Sequence, residues 1–269
     1  MKSVWLQENK SHDVEEYLKH KKSIIVPIGS VEQHARHLPL GTDSMVAIKV
    51  AEEAAKQSGI LVSPPLWLGW APHHMAFPGT ITLKPETLIE LVYDVCKSLI
   101  YHGFEKIHIF NGHREANLPP LKIAATKLRN ETGAYISILD PFYVAYEIGK
   151  EIKVSEPGGV GHAAEMETSH MLYIHPELCN LEEAVKNIQE KHRFLSHDPF
   201  VEGDTVFVPS DVALYREGAL NIGVVGDPTV STKENGEKYH KQLVENVVEF
   251  IHYCENEIEV DIRKKEIPL

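Results

Sequence analysis

Short, wholly apolar runs alternate along this chain with segments whose apolar residues recur every three or four positions, and that alternation limits the possible folds most. Ser23–Ile28 is such a run, with lysines before it and Gly29 after it, and it reads as a strand buried on both faces. A helix is expected over 44–58, with Thr42 or Asp43 as N-cap and Gly59 just beyond its end. Residues 60–62 read as a second strand, stopped by Pro64 and Pro65. The clearest helix is 85–102: Leu88, Leu91, Val92, Val95 and Leu99 share a face, Pro85 lies in the first turn, and Gly103 closes it. Residues 106–110 form the next strand, ending at Asn111-Gly112, followed by a helix from about 119 to 133 and a strand over 134–139. Strand followed by helix, repeated, predicts an α/β fold with a mostly parallel central sheet and helices on both faces. No repeat or Ser/Gly linker interrupts the pattern, so 1–269 is expected to be a single domain. Further helices are expected at 164–174, 181–192 and 237–253, with an irregular, proline-rich stretch over 194–229 that includes a strand at 222–225.

Charge narrows the choice of partners. The chain has 39 acidic residues against 27 Lys and Arg, a formal charge of −12, which argues against nucleic acid and anionic membranes. No 18 apolar residues run together, and the lysine-rich start lacks the apolar core of a signal peptide. Cys96, Cys179 and Cys254 have no CxxC spacing and read as reduced thiols of a cytoplasmic protein.

In open α/β sheets ligands bind beyond the carboxyl ends of the strands, and two polar clusters fall there. Glu32-Gln33-His34 follows the first strand, with Asp43 as the next helix begins, and His113-Arg114-Glu115 follows the 106–110 strand. In extended chain, residues two apart point the same way, so Glu32 can pair with His34 and His113 with Glu115. Three carboxylates and two imidazoles suit a pair of divalent ions such as zinc or manganese. Two such ions lower the pKa of a shared water and polarise a carbonyl, which is hydrolytic chemistry. A loop histidine or glutamate is ordinarily a cap or a solvated group; the weight here comes from five matching residues at two strand ends.

A third cluster, Gly161-His162-Ala163-Ala164-Glu165-Met166-Glu167-Thr168, leads into a helix. His162 and Glu165, three apart, are expected to share a face, and Glu167 is readable as a helix-start carboxylate favoured by the macrodipole. Gly159, Gly161 and Ala164 spell a dinucleotide-like pattern, but no buried strand precedes it, so no nucleotide site is expected. Either His73 or His74 can line the cleft. Of the 16 histidines, His12, His20, His192, His240 and His252 sit in charged helical surroundings and are expected on the surface.

These motifs resemble the creatininase (creatinine amidohydrolase) family. Gly29-Ser30-Val31-Glu32-Gln33-His34 with His37-Leu38-Pro39-Leu40 and Thr42-Asp43 is similar to its first metal motif. Phe77-Pro78-Gly79-Thr80, Asn111-Gly112-His113 and His162-Ala163-Ala164-Glu165-Met166-Glu167-Thr168-Ser169 match later blocks in order. The resemblance implies a creatininase-like fold around two divalent ions, zinc first with manganese or iron as alternatives, in a homo-oligomer, with hexamers among the family's assemblies. It implies that Glu32, Asp43 and His113 hold one ion, that His34, Asp43 and Glu115 hold the other, and that His162 transfers the proton. Asn117 lies four residues after His113 where many members have three, so Glu165 is the second candidate for the carboxylate of the second ion and for a catalytic role. Arg114 stands where creatininase has an aromatic residue, and the aromatic and acidic residues before its catalytic histidine are missing around 158–161. An arginine at the cleft suits a carboxylate or an oxygen-rich substrate. The expected function is hydrolysis of a small polar cyclic substrate, by default at a cyclic amide C–N bond. The alternatives are C–C ring opening of a keto-inositol such as 3-dehydro-scyllo-inosose, and a non-catalytic metal-binding subunit.

Overall fold

The apolar runs pair as a wholly parallel sheet. The computed structural model describes residues 2–189, 194, 198–201, 206 and 208–263, the side chain of Glu115 excepted. Strands β1 (Ser23–Ile28), β2 (Leu61–Val62), β3 (Lys106–Asn111) and β4 (Tyr135–Leu139) lie in the order β2-β1-β3-β4. The helices are α1 (Ser11–Leu18), α2 (Thr42–Ser58), α3 (Pro85–His102), α4 (Arg114–Thr132), α5 (Pro141–Val144), α6 (Tyr146–Ile152), α7 (Glu165–Ile174), α8 (Val212–Gly218) and α9 (Lys233–Glu257). Every residue of β1 and β3 is buried, as expected of strands covered on both faces. Alternate side chains feed two cores: Ile24, Val26 and Ile28 pack with Leu88, Val92 and Leu121 of α3 and α4. Ile25 packs on the other face with Val50 of α2 and Leu243 and Val247 of α9.

Several boundaries differ from the sequence reading, each for a local reason. α2 starts at Thr42 with Gly41 as N-cap, so Asp43 lies inside the first turn and does not cap it. α4 starts at Arg114, before Pro119-Pro120, which ride within the helix. Asn117 explains the early start: buried, it bonds the carbonyl of Gly29 and the Asn111 side chain and accepts from Trp70 N–H, fixing this turn against both strand ends. α9 starts at Lys233 because the Thr232 hydroxyl accepts from Asn235 N–H.

The helix expected over 181–192 is a single 3₁₀ turn, Leu181–Glu183. Beyond it Asn187 exchanges two 2.7 Å backbone hydrogen bonds with Gly226, and tertiary pairing overrides helical propensity there. Residues 190–192, including His192, lie outside the described residues. That bridge to Gly226 replaces the strand expected at 222–225. His240, expected on the surface, is fully buried where α9 packs against α7.

Candidate metal centre

Two glycines determine where the cluster forms. Ile28 pairs with Asn111 in register, so Gly29 and Gly112 leave β1 and β3 at the same level. A Cβ on Gly29 would collide with the Ser44 backbone, and one on Gly112 with the Asp43 carbonyl. The first turn of α2 therefore lies directly against both strand ends. Asp43 is held between the loop that carries Glu32 and His34 and the turn that carries His113.

Asp43 Oδ1 lies 3.2 Å from His34 Nε2, and Oδ2 lies 3.0 Å from His113 Nδ1. Glu32 Oε2 is 3.2 Å from the same His113 nitrogen. Glu32 Oε1 is 3.1 Å from His74 Nε2 and 3.7 Å from His162 Nδ1. His34 Nε2 is also 3.8 Å from Glu167 Oε2. Among the described residues, three trios have ligand atoms within 4.8 Å of one another: Glu32 with Asp43 and His113, His34 with His162 and Glu167, and Glu32 with His74 and His162.

Backbone carbonyls fix the tautomers. His113 Nε2 lies 3.3 Å from Trp70 O, His162 Nε2 lies 2.7 Å from Gln33 O, and His34 Nδ1 lies 3.2 Å from Glu32 O. A carbonyl accepts only from N–H, so in each neutral ring the opposite nitrogen, the one facing the carboxylates, is left as a lone pair. His74 has the reverse arrangement. The Gln33 amide nitrogen donates to Gly223 O and lies 3.0 Å from His74 Nδ1, while the amide oxygen accepts from Ala35 N–H. His74 Nδ1 is thus an acceptor and its proton sits on Nε2, beside Glu32. Three imidazoles offer lone pairs and His74 offers a donor.

The electrostatics are those of too many buried charges with too few partners. Burial pushes the Glu32 carboxyl well up, and Asp43 beside it adds to the rise. Burial also acts on Asp43, but His34 and His113 hold its carboxyl well below the usual range. Burial alone would lower both histidines, yet Asp43 raises His34 to about 10, and Glu32 with Asp43 raises His113 to about 9. Burial and the charge on His34 keep His162 well below its ordinary value. Among the described residues, Glu32 Oε1 and Oε2, His34 Nε2 and Asp43 Oδ2 are buried and make no well-formed hydrogen bond, only close contacts with one another's groups. Desolvation without compensation is costly, and the donor set of carboxylate oxygens and imidazole lone pairs fits divalent ions.

Of the residues singled out in the sequence, Glu32, His34, Asp43, His113 and His162 are brought together. Glu165 is not. Its two oxygens accept from Val154 N–H at 2.7 Å and Ser155 N–H at 2.9 Å, which ties α7 to the chain after α6. The expected shared face of His162 and Glu165 fails because α7 begins only at Glu165. Ala163 has a φ of 51° and Ala164 is extended, so the turn presents Glu167 to His34, and Glu167 Oε2 accepts from Ala163 N–H at 2.6 Å. The side chain of Glu115 lies outside the described residues; its backbone stands in the first turn of α4. Arg114 packs its guanidinium over Phe142 and Tyr143, with Nε 3.6 Å from Asp140 Oδ2. His74, one of the two histidines read from the sequence as able to line the cleft, joins the cluster from a 3₁₀ turn, His73–Ala76.

Comparison with known proteins shows the family and the fold. The family pattern described as creatininase, creatinine amidohydrolase, matches residues 7–251. The chain is 30% identical over 269 residues to the 3-dehydro-scyllo-inosose hydrolase of Thermotoga maritima, covering 91% of this chain and 84% of that protein. It is 30% identical over 241 residues to the mycofactocin precursor peptide peptidase of Mycobacterium ulcerans, covering 84% of this chain and 83% of that one. A solved structure, "Creatininase Mn", superposes with a TM-score of 0.78 at 22% identity, covering 95% of this chain and all of the other.

Proposed function

The chain belongs to the creatininase family and is a hydrolase; from that premise we propose that its buried cluster holds two divalent ions, zinc first with manganese or iron as alternatives, and that it opens a small polar cyclic substrate. Glu32, Asp43 and His113 would hold one ion. His34 and Asp43 would hold the other, with the third place taken by Glu167 or Glu115. The observation that carries this reading is the set of four buried polar atoms on Glu32, His34 and Asp43 that make no well-formed hydrogen bond among the described residues. Asp43 Oδ2 and His113 Nδ1 lie 3.0 Å apart, so a divalent ion bound there would take the place of the proton that His113 otherwise holds between them.

When bound, such ions polarise a carbonyl and lower the pKa of water. The chain supplies the rest. His162 is held by Gln33 O through Nε2, which leaves Nδ1 to take up a proton and return it to the leaving atom. Its lowered pKa keeps that nitrogen bare at neutral pH. Glu32 and Asp43 are fixed by their glycine-backed turns, so little reorganisation accompanies charge development.

The family default is cleavage of a cyclic amide C–N bond. A second reading is C–C ring opening of a keto-inositol, favoured by Arg114 in the wall beside Asp43 and by the activity for which the Thermotoga maritima relative is named. The mycobacterial relative is named for a peptide, so family membership leaves the substrate open. A homo-oligomer and a cytoplasmic location belong to the same proposal, and gel filtration tests the first.

Metal analysis tests the centre. About two divalent ions per chain, lost together with activity in Glu32→Ala and His113→Ala, is the expected result. A folded protein that binds no divalent ion refutes it. Screening the loaded protein against creatinine, small lactams, formamides and keto-inositols identifies the bond that is cut.

A further inference from the structure

A partly open cavity adjoins the cluster, lined by Asp43 and Glu167 together with Arg114, Phe142, His170 and Tyr239. Two features of its lining have no use in the chemistry above. The Tyr239 hydroxyl is buried and has no hydrogen-bond partner among the described residues, with Tyr239 itself 3% exposed. Beside it His170 meets the Tyr239 ring edge-on, centroids 5.4 Å apart.

His170 ends a chain of hydrogen bonds that runs from the cavity to the surface. Its Nε2 lies 2.8 Å from His240 Nδ1, and His240 Nε2 lies 3.0 Å from Glu53 Oε2. Glu53 is half-buried and paired with Lys49 at 2.9 Å, which helps hold its carboxyl below the usual range. The polarity of the chain follows from donor and acceptor counting. The Glu53 carboxylate accepts from His240 Nε2–H, so His240 Nδ1 is an acceptor and His170 Nε2 carries the proton. His170 Nδ1 is then a lone pair, with no hydrogen-bond partner among the described residues. Burial, with His240 beside it, lowers the pKa of His170 far enough that the ring is neutral.

We infer that this wall is a subsite for a substrate hydroxyl: Tyr239 Oη donates to it, and His170 Nδ1, its tautomer set by His240 and Glu53, accepts from it. A hydroxyl is the group that answers both atoms at once, and a carboxylate, a carbonyl or a methylene answers only one or neither. The chemical class selected is a neutral substrate that bears a hydroxyl group, for which an inositol is a suitable probe. A site built to bond a hydroxyl rejects an analogue that lacks it, because buried polar groups are then left bare. The inference rests on the hydrolase reading for its place in the molecule, beside Asp43 and Glu167.

Calorimetric titration of the full chain, supplied with Mn²⁺, with myo-inositol tests it. Saturable binding is expected, weakened about five-fold or more in Tyr239→Phe, the loss of one neutral hydrogen bond. Creatinine binding, where measurable, should be unchanged. The same substitution should leave the melting temperature unchanged or raise it, since it removes a bare buried hydroxyl. Nitrogen NMR of the imidazoles in the unmutated chain should find the His170 proton on Nε2, with the Nδ1 resonance moving as myo-inositol is added. Absence of binding, equal binding by Tyr239→Phe, a lowered melting temperature in that variant, or a proton on His170 Nδ1 overturns the subsite. Metal content measured on the same samples keeps the two readings apart. Inositol binding without divalent ions would sink the hydrolase reading alone, and bound ions without inositol binding would sink the subsite alone.

Discussion

Removing the divalent ions should destabilise the protein, and the size of the loss should depend on pH in a direction fixed by the cluster. An ion that binds only the folded state, at a free concentration one hundred times its dissociation constant, adds ~2.7 kcal/mol, so two add ~5 kcal/mol. For a chain of this size each kcal/mol moves the melting temperature by ~2–4 °C, so dialysis against a chelator should lower it by ~10–20 °C. His34 and His113, raised to about 10 and about 9, stabilise the ion-free fold through their protonated forms. That contribution is fully present below an unfolded value of about 6.5 and is lost as pH rises through the folded values. Glu32 acts in the same direction, because its raised pKa favours a protonated carboxyl in the fold. The ion-free protein should therefore melt at a lower temperature at about pH 8.5 than at about pH 6, on either side of the free histidine value. The ions need those same groups deprotonated, so added Mn²⁺ should raise the melting temperature more at the higher pH. Circular-dichroism melts of dialysed protein, with and without Mn²⁺ at the two pH values, measure both quantities. A melting temperature indifferent to Mn²⁺, or a larger rise at the lower pH, would refute the reasoning.

Other expectations follow from the same geometry. His162→Ala should retain its metal by elemental analysis and lose ~10²–10⁴-fold in turnover. Glu165→Gln and Glu167→Gln should separate cleanly: the first leaves one of two backbone N–H groups facing an NH2 in place of its acceptor and costs ~1–3 kcal/mol in denaturant titration with metal content unchanged. The second should instead lower the affinity for the second ion. Gly112→Ala, which drives a methyl into the Asp43 carbonyl, should cost ~1–3 kcal/mol and weaken metal binding, both read on one preparation. Creatinine turnover should be weak or absent, and efficient turnover in a coupled assay would show that Arg114 does not exclude a flat, weakly polar ring.

Much of the architecture was legible from local pattern. The six residues of β1 and the full span of α3 match their predicted ranges, because an apolar run and a capped, periodic helix are each encoded within one segment. Glu32, His34, Asp43 and His113 were legible for a topological reason: neighbouring parallel strands in register deliver the residues after them to one place. The readings that failed depended on contacts between segments. The helix expected over 181–192 gave way to the Asn187–Gly226 bridge, and the strand expected at 222–225 was lost to the same pairing.

The sequence by itself determined the α/β class, the two strand ends that bring Glu32, Asp43 and His113 together, and the presence of a carboxylate near His162. Tertiary structure decided which carboxylate: the left-handed backbone at Ala163 delays the start of α7, so that Glu165 ties down a neighbouring loop and Glu167 faces His34. It also decided that His240, in a charged helix that looked solvated, lies buried between α7 and α9, where it orients His170. Periodicity tells how residues along one helix are spaced, but the orientation of a side chain at a helix start, or across a helix pair, is set by whichever backbone packs against it.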